Sequence, residues 1–292
     1  HAKYLVIDRE VLLLTTENFK LSGFPDQGMI GNRGWGVIIK DPVVSRYFAD
    51  VFFEDLNGPG VGPFSAVAPG GRSAEANPTS TYLARYPPAT FSGARVTPVL
   101  APDTSYLIAT LIEGSSQSVD VEQAYITNPS TGDLNPYLAA AINASRRGVQ
   151  VRVLLDSSWF NIEEEADNDE MVDLINRIAE EDNLPLEARC ADLARSDLLK
   201  VHTKGVIVDR QRVLVSSINW NQNSPNFNRE AGVILDHPGV GNYYTAVFED
   251  DWAGGRDTAA YPGYEGMSNL LKWGAACAVI LILVVISIKR RG

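Results

Sequence analysis

Apolar residues recur along the chain in two patterns, one with period two and one with helical spacing. Residues 4–7 (YLVI) and 205–208 (GVIV) are β-rich runs that each lead into Asp-Arg and then a second β-rich run, VLLLTT or RVLVSS. Each set predicts a hairpin. A loop, a further strand (GVII or GVIL) and an aromatic-rich amphipathic segment, read as a helix, follow in both places. Between the two sets the pattern predicts a helix near residues 103–113, then a strand from SVDVEQAYI (118–126). Asn135-Pro136 caps a helix through Arg147, which Gly148 stops. VQVRVLLD (149–156) reads as a buried strand and EMVDLINRIAEE (170–181) as an amphipathic helix. Strands alternating with helices predict an α/β sandwich with a mixed sheet.

The matching order is a duplication. Residues 36–56 align without gaps to 232–252, and residues 1–18 align to 202–219. The offset changes from 201 to 196 inside the loop between Asn18 and Asn32. The expected architecture is therefore two duplicated α/β halves with mixed sheets forming one shared active site. By the order of the second copy, the first is truncated at its N-terminus, and the chain, which begins at His1 without Met, reads as a fragment. The expected layout is a first half over 1–56, a Gly/Pro-rich linker or surface excursion over 57–97 and a second half over 98–255. A linker (256–270), a transmembrane helix (271–288) and a basic tail (289–292) complete it.

The tail rests on Trp273 to Ile288, sixteen uncharged residues followed by Lys289-Arg290-Arg291. As a helix this run is about 24 Å long, and Leu270 and Leu271 extend it toward a hydrocarbon core of ~30 Å. The basic end predicts a cytoplasmic tail and an extracytoplasmic catalytic part. Cys190 and Cys277 are the two cysteines and His1, His202 and His237 the three histidines, too few for a disulfide framework or a zinc cluster. A net charge of −11 disfavours general affinity for polyanions.

Candidate chemistry lies at the head of each hairpin. His1-x-Lys3-x4-Asp8 and His202-x-Lys204-x4-Asp209 have identical spacing. Chance would produce one such pattern roughly 0.005 times in a chain of this composition. On a strand, residues i and i+2 share a face, so each histidine points the same way as its lysine. On the returning strands Thr16 pairs with Asn18 and Ser217 with Asn219 in the same manner. Two imidazoles, two ammonium groups, two hydroxyls and two amides around one cleft suit a phosphodiester. One histidine attacks phosphorus and the other protonates the leaving alkoxide. Asp8 and Asp209 stand at hairpin turns, where a cleft-supporting role is expected. His237 lies outside the motif and is expected at the surface.

These residues resemble the phospholipase D superfamily, whose signature is the duplicated H-x-K-x4-D motif followed by a Gly/Ser-Ser-x-Asn segment. The resemblance covers residues 1–255. It implies a catalytic set of His1, Lys3, Asp8, His202, Lys204, Asp209 and Glu230, with Thr16, Asn18, Ser217 and Asn219 binding the substrate phosphate. It also implies a phospho-histidine intermediate, with His1 as nucleophile and His202 as acid and base, and no metal or other cofactor. Glu230, in Asn228-Arg229-Glu230, matches the family's acidic residue after the second motif. The first copy has Gly34 at that place, in Asn32-Arg33-Gly34, which leaves open what orients His1.

The expected activity is that of a membrane-anchored phosphodiesterase or phosphatidyltransferase acting on phospholipid, of phospholipase D or cardiolipin synthase type. The alternative is a nuclease of the same fold acting on single-stranded nucleic acid. No protein partner is evident. Outside the two His-Lys pairs the chain has only five lysines, and no basic run interleaved with aromatics favours nucleic acid.

Overall fold

A computed structural model of the chain describes residues 1–26, 29–58, 86–164 and 167–254. Most of the expected surface excursion, and all of the expected linker, apolar helix and basic tail after residue 255, lie outside the described residues. Among the described residues no helix is long and apolar enough to cross a membrane.

The first copy forms a small sheet. Strands β1 (Tyr4–Ile7), β2 (Val11–Thr15) and β3 (Gly36–Lys40) lie in that order, each antiparallel to its neighbour. This sheet is wholly antiparallel rather than mixed, because it holds only a hairpin and its returning strand. Helix α1 (Pro42–Leu56) follows, with the Asp41 carboxylate accepting from the Val43 and Val44 N–H groups at 2.8 and 3.0 Å.

The remaining strands build one seven-stranded mixed sheet. In chain order the elements are β4 (Arg95–Ala101), α2 (Leu107–Glu113), β5 (Ser118–Gln123), α3 (Pro136–Arg146) and β6 (Gln150–Leu155). Then come α4 (Asn168–Glu181), β7 (Leu186–Cys190), α5 (Leu193–Ser196), β8 (Lys204–Val208), β9 (Arg212–Ser216), α6 (Asn223–Phe227), β10 (Glu230–Asp236) and α7 (Pro238–Gly254). The strands lie in the order β4-β10-β9-β8-β5-β6-β7, with β5, β6 and β7 parallel and the other neighbours antiparallel. The crossover helices α3 and α4 make the parallel part possible. Strand β4 begins inside the stretch read from sequence as a linker. It tolerates Pro98 because it is an edge strand, where a missing N–H costs no ladder bond.

Both faces of the large sheet are covered. Val206, Val208 and Leu214 pack with Ile108, Leu138 and Ile142 under α2 and α3. On the other face Ile207, Val213 and Val215 share a core with Leu12, Leu14, Trp35 and Phe48 of the first copy and Phe248 and Trp252 of α7. The two copies are thus joined by one apolar core. Gly205 permits this contact, since a Cβ there would fall 2.3 Å from a ring carbon of Trp35. In the first copy Leu5, Ile7 and Ile38 remain 49–62% exposed, whereas their counterparts Val206, Val208 and Ile234 pack into the core under α2 and α3.

Candidate active site

The two copies exchange backbone bonds at the head of each motif. The His202 N–H donates to the Arg33 carbonyl at 2.8 Å, and the His1 amino group donates to the Arg229 carbonyl at 2.7 Å. Arg33 and Arg229 are equivalent residues of the opposite copies. Each histidine is therefore fastened to the strand that enters the other half. Arg33 is itself held by a bidentate pair with the buried Asp251 of α7, at 2.6 and 2.9 Å.

The carboxylates cross over in the same way. His1 Nδ1 lies 2.8 Å from Glu230 Oε1. Glu230 is fully buried and accepts from Ser217 Oγ at 2.6 Å, Ser224 Oγ at 2.9 Å and Asn228 Nδ2 at 3.3 Å. In the opposite direction, His202 Nδ1 lies 3.3 Å from Glu17 Oε1. That pair is at ion-pair distance but out of line for a hydrogen bond, so the contact is electrostatic in this state. Glu17 Oε2 accepts from Asn32 Nδ2 at 3.0 Å.

Glu17 is a candidate site residue that sequence reasoning does not single out. It aligns with Ile218, inside the Thr16-x-Asn18 segment, and not with Glu230. Gly34, which does align with Glu230, vacates the space Glu17 occupies: a Cβ at Gly34 would lie 2.3 Å from Glu17 Cγ. The first copy has the same carboxylate function delivered from a different position. The signal was present as a glycine where an acid was expected, beside an acid where the other copy has isoleucine.

The lysines are buried beside their histidines. Lys3 Nζ is 2.6 Å from the His1 carbonyl and 3.1 and 3.2 Å from the two His1 ring nitrogens. Lys204 Nζ is 2.6 Å from the His202 carbonyl. Burial lowers the pKa of Lys3 despite the attraction of Glu230 and Glu17. Burial also drives Lys204 well below its ordinary range, against Glu17 and with repulsion from Lys3 and Lys200. Burial brings His202 down to about 4, with Lys204 and Lys200 adding to the effect and Glu17 opposing it. For Glu17 burial acts upward, but contact with His202, Asn32 and the Lys204 charge outweighs it and holds the carboxyl below its ordinary value. Desolvation dominates the shifts of Lys3, Lys204 and His202, so an anion bound beside them would favour their charged forms.

Four expected site residues lie elsewhere or act otherwise. Asp8 is exposed on its hairpin turn, where Asp8 and Arg9 both have positive φ, and it joins no site group. Asp209 occupies the matching turn and accepts backbone N–H bonds from Ser116, Gln117 and Ser118 at 3.1, 2.7 and 3.0 Å. Burial acts to raise its pKa, and those bonds hold it low. Each motif's Asp lies at the far end of the strand that starts beside its histidine, and Asp209 there fastens its hairpin to the start of β5. Thr16 Oγ1 accepts from the Trp35 N–H at 2.9 Å, and Ser217 Oγ is shared between Glu230 and the Ala231 N–H. Ser217 has both its donor and an acceptor position used within the protein, whereas Thr16 is fully buried with its oxygen accepting from Trp35. Asn219 is nearly buried with its Oδ1 unpaired, and Asn18 is half-buried. His237 Nδ1 accepts from the Gly239 N–H at 3.0 Å and so caps α7. Among the described residues no three His, Cys, Asp or Glu side chains are placed to hold a metal ion.

Comparison with known proteins adds to this geometry. The family described as cardiolipin synthase, phospholipase D-like domain, matches residues 108–252. The fold is similar to that of phosphatidylserine synthase from Haemophilus influenzae Rd KW20, with a TM-score of 0.59 and 14% identity over 96% of this chain and 69% of that one. Nuc from Salmonella typhimurium, a phospholipase D family member, is similar with a TM-score of 0.45 and 22% identity over 56% of this chain and 97% of that one. NucT from Helicobacter pylori has a TM-score of 0.44 and 13% identity over 56% of this chain and 98% of that one. The first likeness is one of fold, and the other two are too slight to bear an argument. No curated protein matches the chain.

Proposed function

Because the chain belongs to the phospholipase D superfamily, we propose that its two copies form one active site that cleaves or exchanges phospholipid phosphodiesters through a phospho-histidine. The observation that carries this reading is the crossed arrangement, in which each imidazole meets a buried carboxylate of the other copy. The Glu230 carboxylate on His1 Nδ1 fixes that ring's tautomer and leaves Nε2 as its reactive nitrogen, while Glu17 stands near His202 Nδ1 without an aligned hydrogen bond. As the family resemblance implies, His1 takes the role of nucleophile and His202 that of acid and base.

In the first step His1 Nε2 attacks phosphorus and the bond to the leaving oxygen breaks. That oxygen takes a proton from His202. In the second step His202 removes a proton from water or an alcohol, the new P–O bond forms and the P–N bond breaks. Lys3 and Lys204 neutralise the non-bridging oxygens. His202 is neutral in the resting site, which suits its role as base. Its acid role requires the diester's negative charge to offset Lys204 and Lys200 and so raise its proton affinity.

The lipid reading is supported by the net charge of −11 and by the scarcity of lysine outside the two motifs. The C-terminal apolar segment, proposed to span a membrane with the site on its extracytoplasmic side, would hold the cleft near head groups and raise their effective concentration. Incubating the full-length protein with defined phospholipids, with and without a primary alcohol, beside single-stranded DNA tests this. The alcohol should divert product from phosphatidic acid to phosphatidyl-alcohol. Degradation of the DNA with every lipid untouched would replace this reading with the nuclease alternative.

A further inference from the structure

The loop between Glu17 and Asn32 displays apolar side chains at the edge of the site. Phe19, Leu21, Phe24, Met29 and Ile30 are each 48–62% exposed, and Leu199 is 51% exposed. The loop is built to hold them there. Gly23 and Phe24 N–H groups donate to the Lys20 carbonyl, both at 2.9 Å, and Asn32 N–H donates to the Ser22 carbonyl at 2.7 Å. Leu199 N–H donates to the Gly31 carbonyl at 2.9 Å, and Phe19 stacks on Phe24 with ring centroids 5.6 Å apart. Both ends of the loop lead into the site: Glu17 contacts His202, and Asn32 binds Glu17. Leu199 stands three residues before His202.

A contiguous apolar display on a folded chain marks an interaction surface, and its chemistry here is selective. Residues 19–31 hold one Lys and one Asp, so they offer no basic track for a polyanion backbone. Four of the six, Leu21, Met29, Ile30 and Leu199, have no π-face on which bases could stack, and the rings of Phe19 and Phe24 stack on each other. A site for a phosphodiester bordered by aliphatic and aromatic groups fits an amphiphile, with its phosphate in the cleft and its tails on the rim. We propose that this loop and Leu199 form a surface that enters the acyl region of a phospholipid bilayer, so that a lipid reaches the histidines without leaving the membrane. Side chains placed in this way sit about 5–10 Å below the head-group boundary. The proposal rests on the phospholipid reading of the same site.

The test uses the full chain in phosphatidylcholine–phosphatidylglycerol vesicles. Lys20→Cys in a Cys277→Ser background keeps every apolar rim residue and accepts an environment-sensitive fluorophore. Its emission should shift to the blue and be quenched by lipids brominated on the acyl chain. In the Leu21→Asp/Met29→Asp variant, turnover of vesicle lipid relative to turnover of soluble bis-p-nitrophenyl phosphate should fall at least tenfold. A probe that stays unquenched, together with an unchanged ratio, would overturn the proposal even if phospholipid is a substrate. A quenched probe with no phospholipid turned over would support the surface and remove the substrate reading instead.

Discussion

Replacing Gly34 with Ala tests whether the displaced carboxylate works as the geometry implies. The new methyl would lie 2.3 Å from Glu17 Cγ, 2.8 Å from Oε1 and 3.0 Å from Cδ. Carbon pairs settle at about 3.5–4.0 Å, so Glu17 must retreat by more than ~1 Å. Its Oε1 is 3.3 Å from His202 Nδ1, with little contact to spare. A displacement of that size at a positioning group can cost on the order of 10²-fold in rate. Gly34→Ala should therefore lower kcat by roughly 10–100-fold with KM little changed, and shift the pH profile as His202 loses its partner. Overpacking adds an expected stability loss of about 1–3 kcal/mol. Steady-state kinetics on a soluble diester, with the melting temperature recorded beside it, separates the two effects. In a Glu17→Ala background the same substitution should cost almost nothing further, and Glu17→Ile with Gly34→Glu, which copies the second half, should recover part of the rate lost in Glu17→Ile alone. A Gly34→Ala enzyme with wild-type kcat, or losses that multiply in the Glu17→Ala background, would refute the reasoning.

Two further outcomes follow from the site's surroundings. His202 has a depressed pKa of about 4 against 6.5 when free, so its stabilising effect is complete above pH 6.5 and is lost as pH falls toward 4. At about 1.4 kcal/mol per pH unit this amounts to roughly 3 kcal/mol. Denaturant melts at pH 7 and pH 4 should show that loss in the wild type and a smaller one in His202→Gln; equal losses would contradict it. Asp209→Ala removes the acceptor of three backbone N–H groups and should cost about 1–3 kcal/mol of stability. Turnover by the folded fraction should stay within a few-fold, and a hundredfold loss would return Asp209 to the chemistry.

What could be read from the sequence was what is local or repeated. Asn135-Pro136 and Gly148 bracket α3 because caps and stops depend on neighbouring residues alone. The paired His-x-Lys motifs stood out because strand geometry puts i and i+2 on one face and the duplication repeats the spacing. The rest depends on contacts between distant segments. Strand β4 was obscured by Pro98 and its Gly/Pro-rich approach, and is ordered by pairing with β10. Nothing local to Ser217 shows that its hydroxyl bonds to Glu230 and Ala231, or that the Thr16 oxygen accepts from Trp35. Glu17 was hidden because its partner is in the other copy, and alignment sets it opposite an apolar Ile218.

The central claim is that His1 and His202 act in sequence on one phosphorus atom. Acid-sensitive trapping during turnover of a diester labelled at phosphorus tests it most directly, using the full-length protein. The wild type should yield a protein-bound phosphoryl group that survives alkali and is released by acid, as a P–N bond requires. His1→Asn should abolish it; with a diester whose p-nitrophenolate leaving group needs no proton, His202→Asn should retain it, because the second step then lacks its base. Turnover with no protein-bound phosphate, or an adduct undiminished in His1→Asn, would contradict the account.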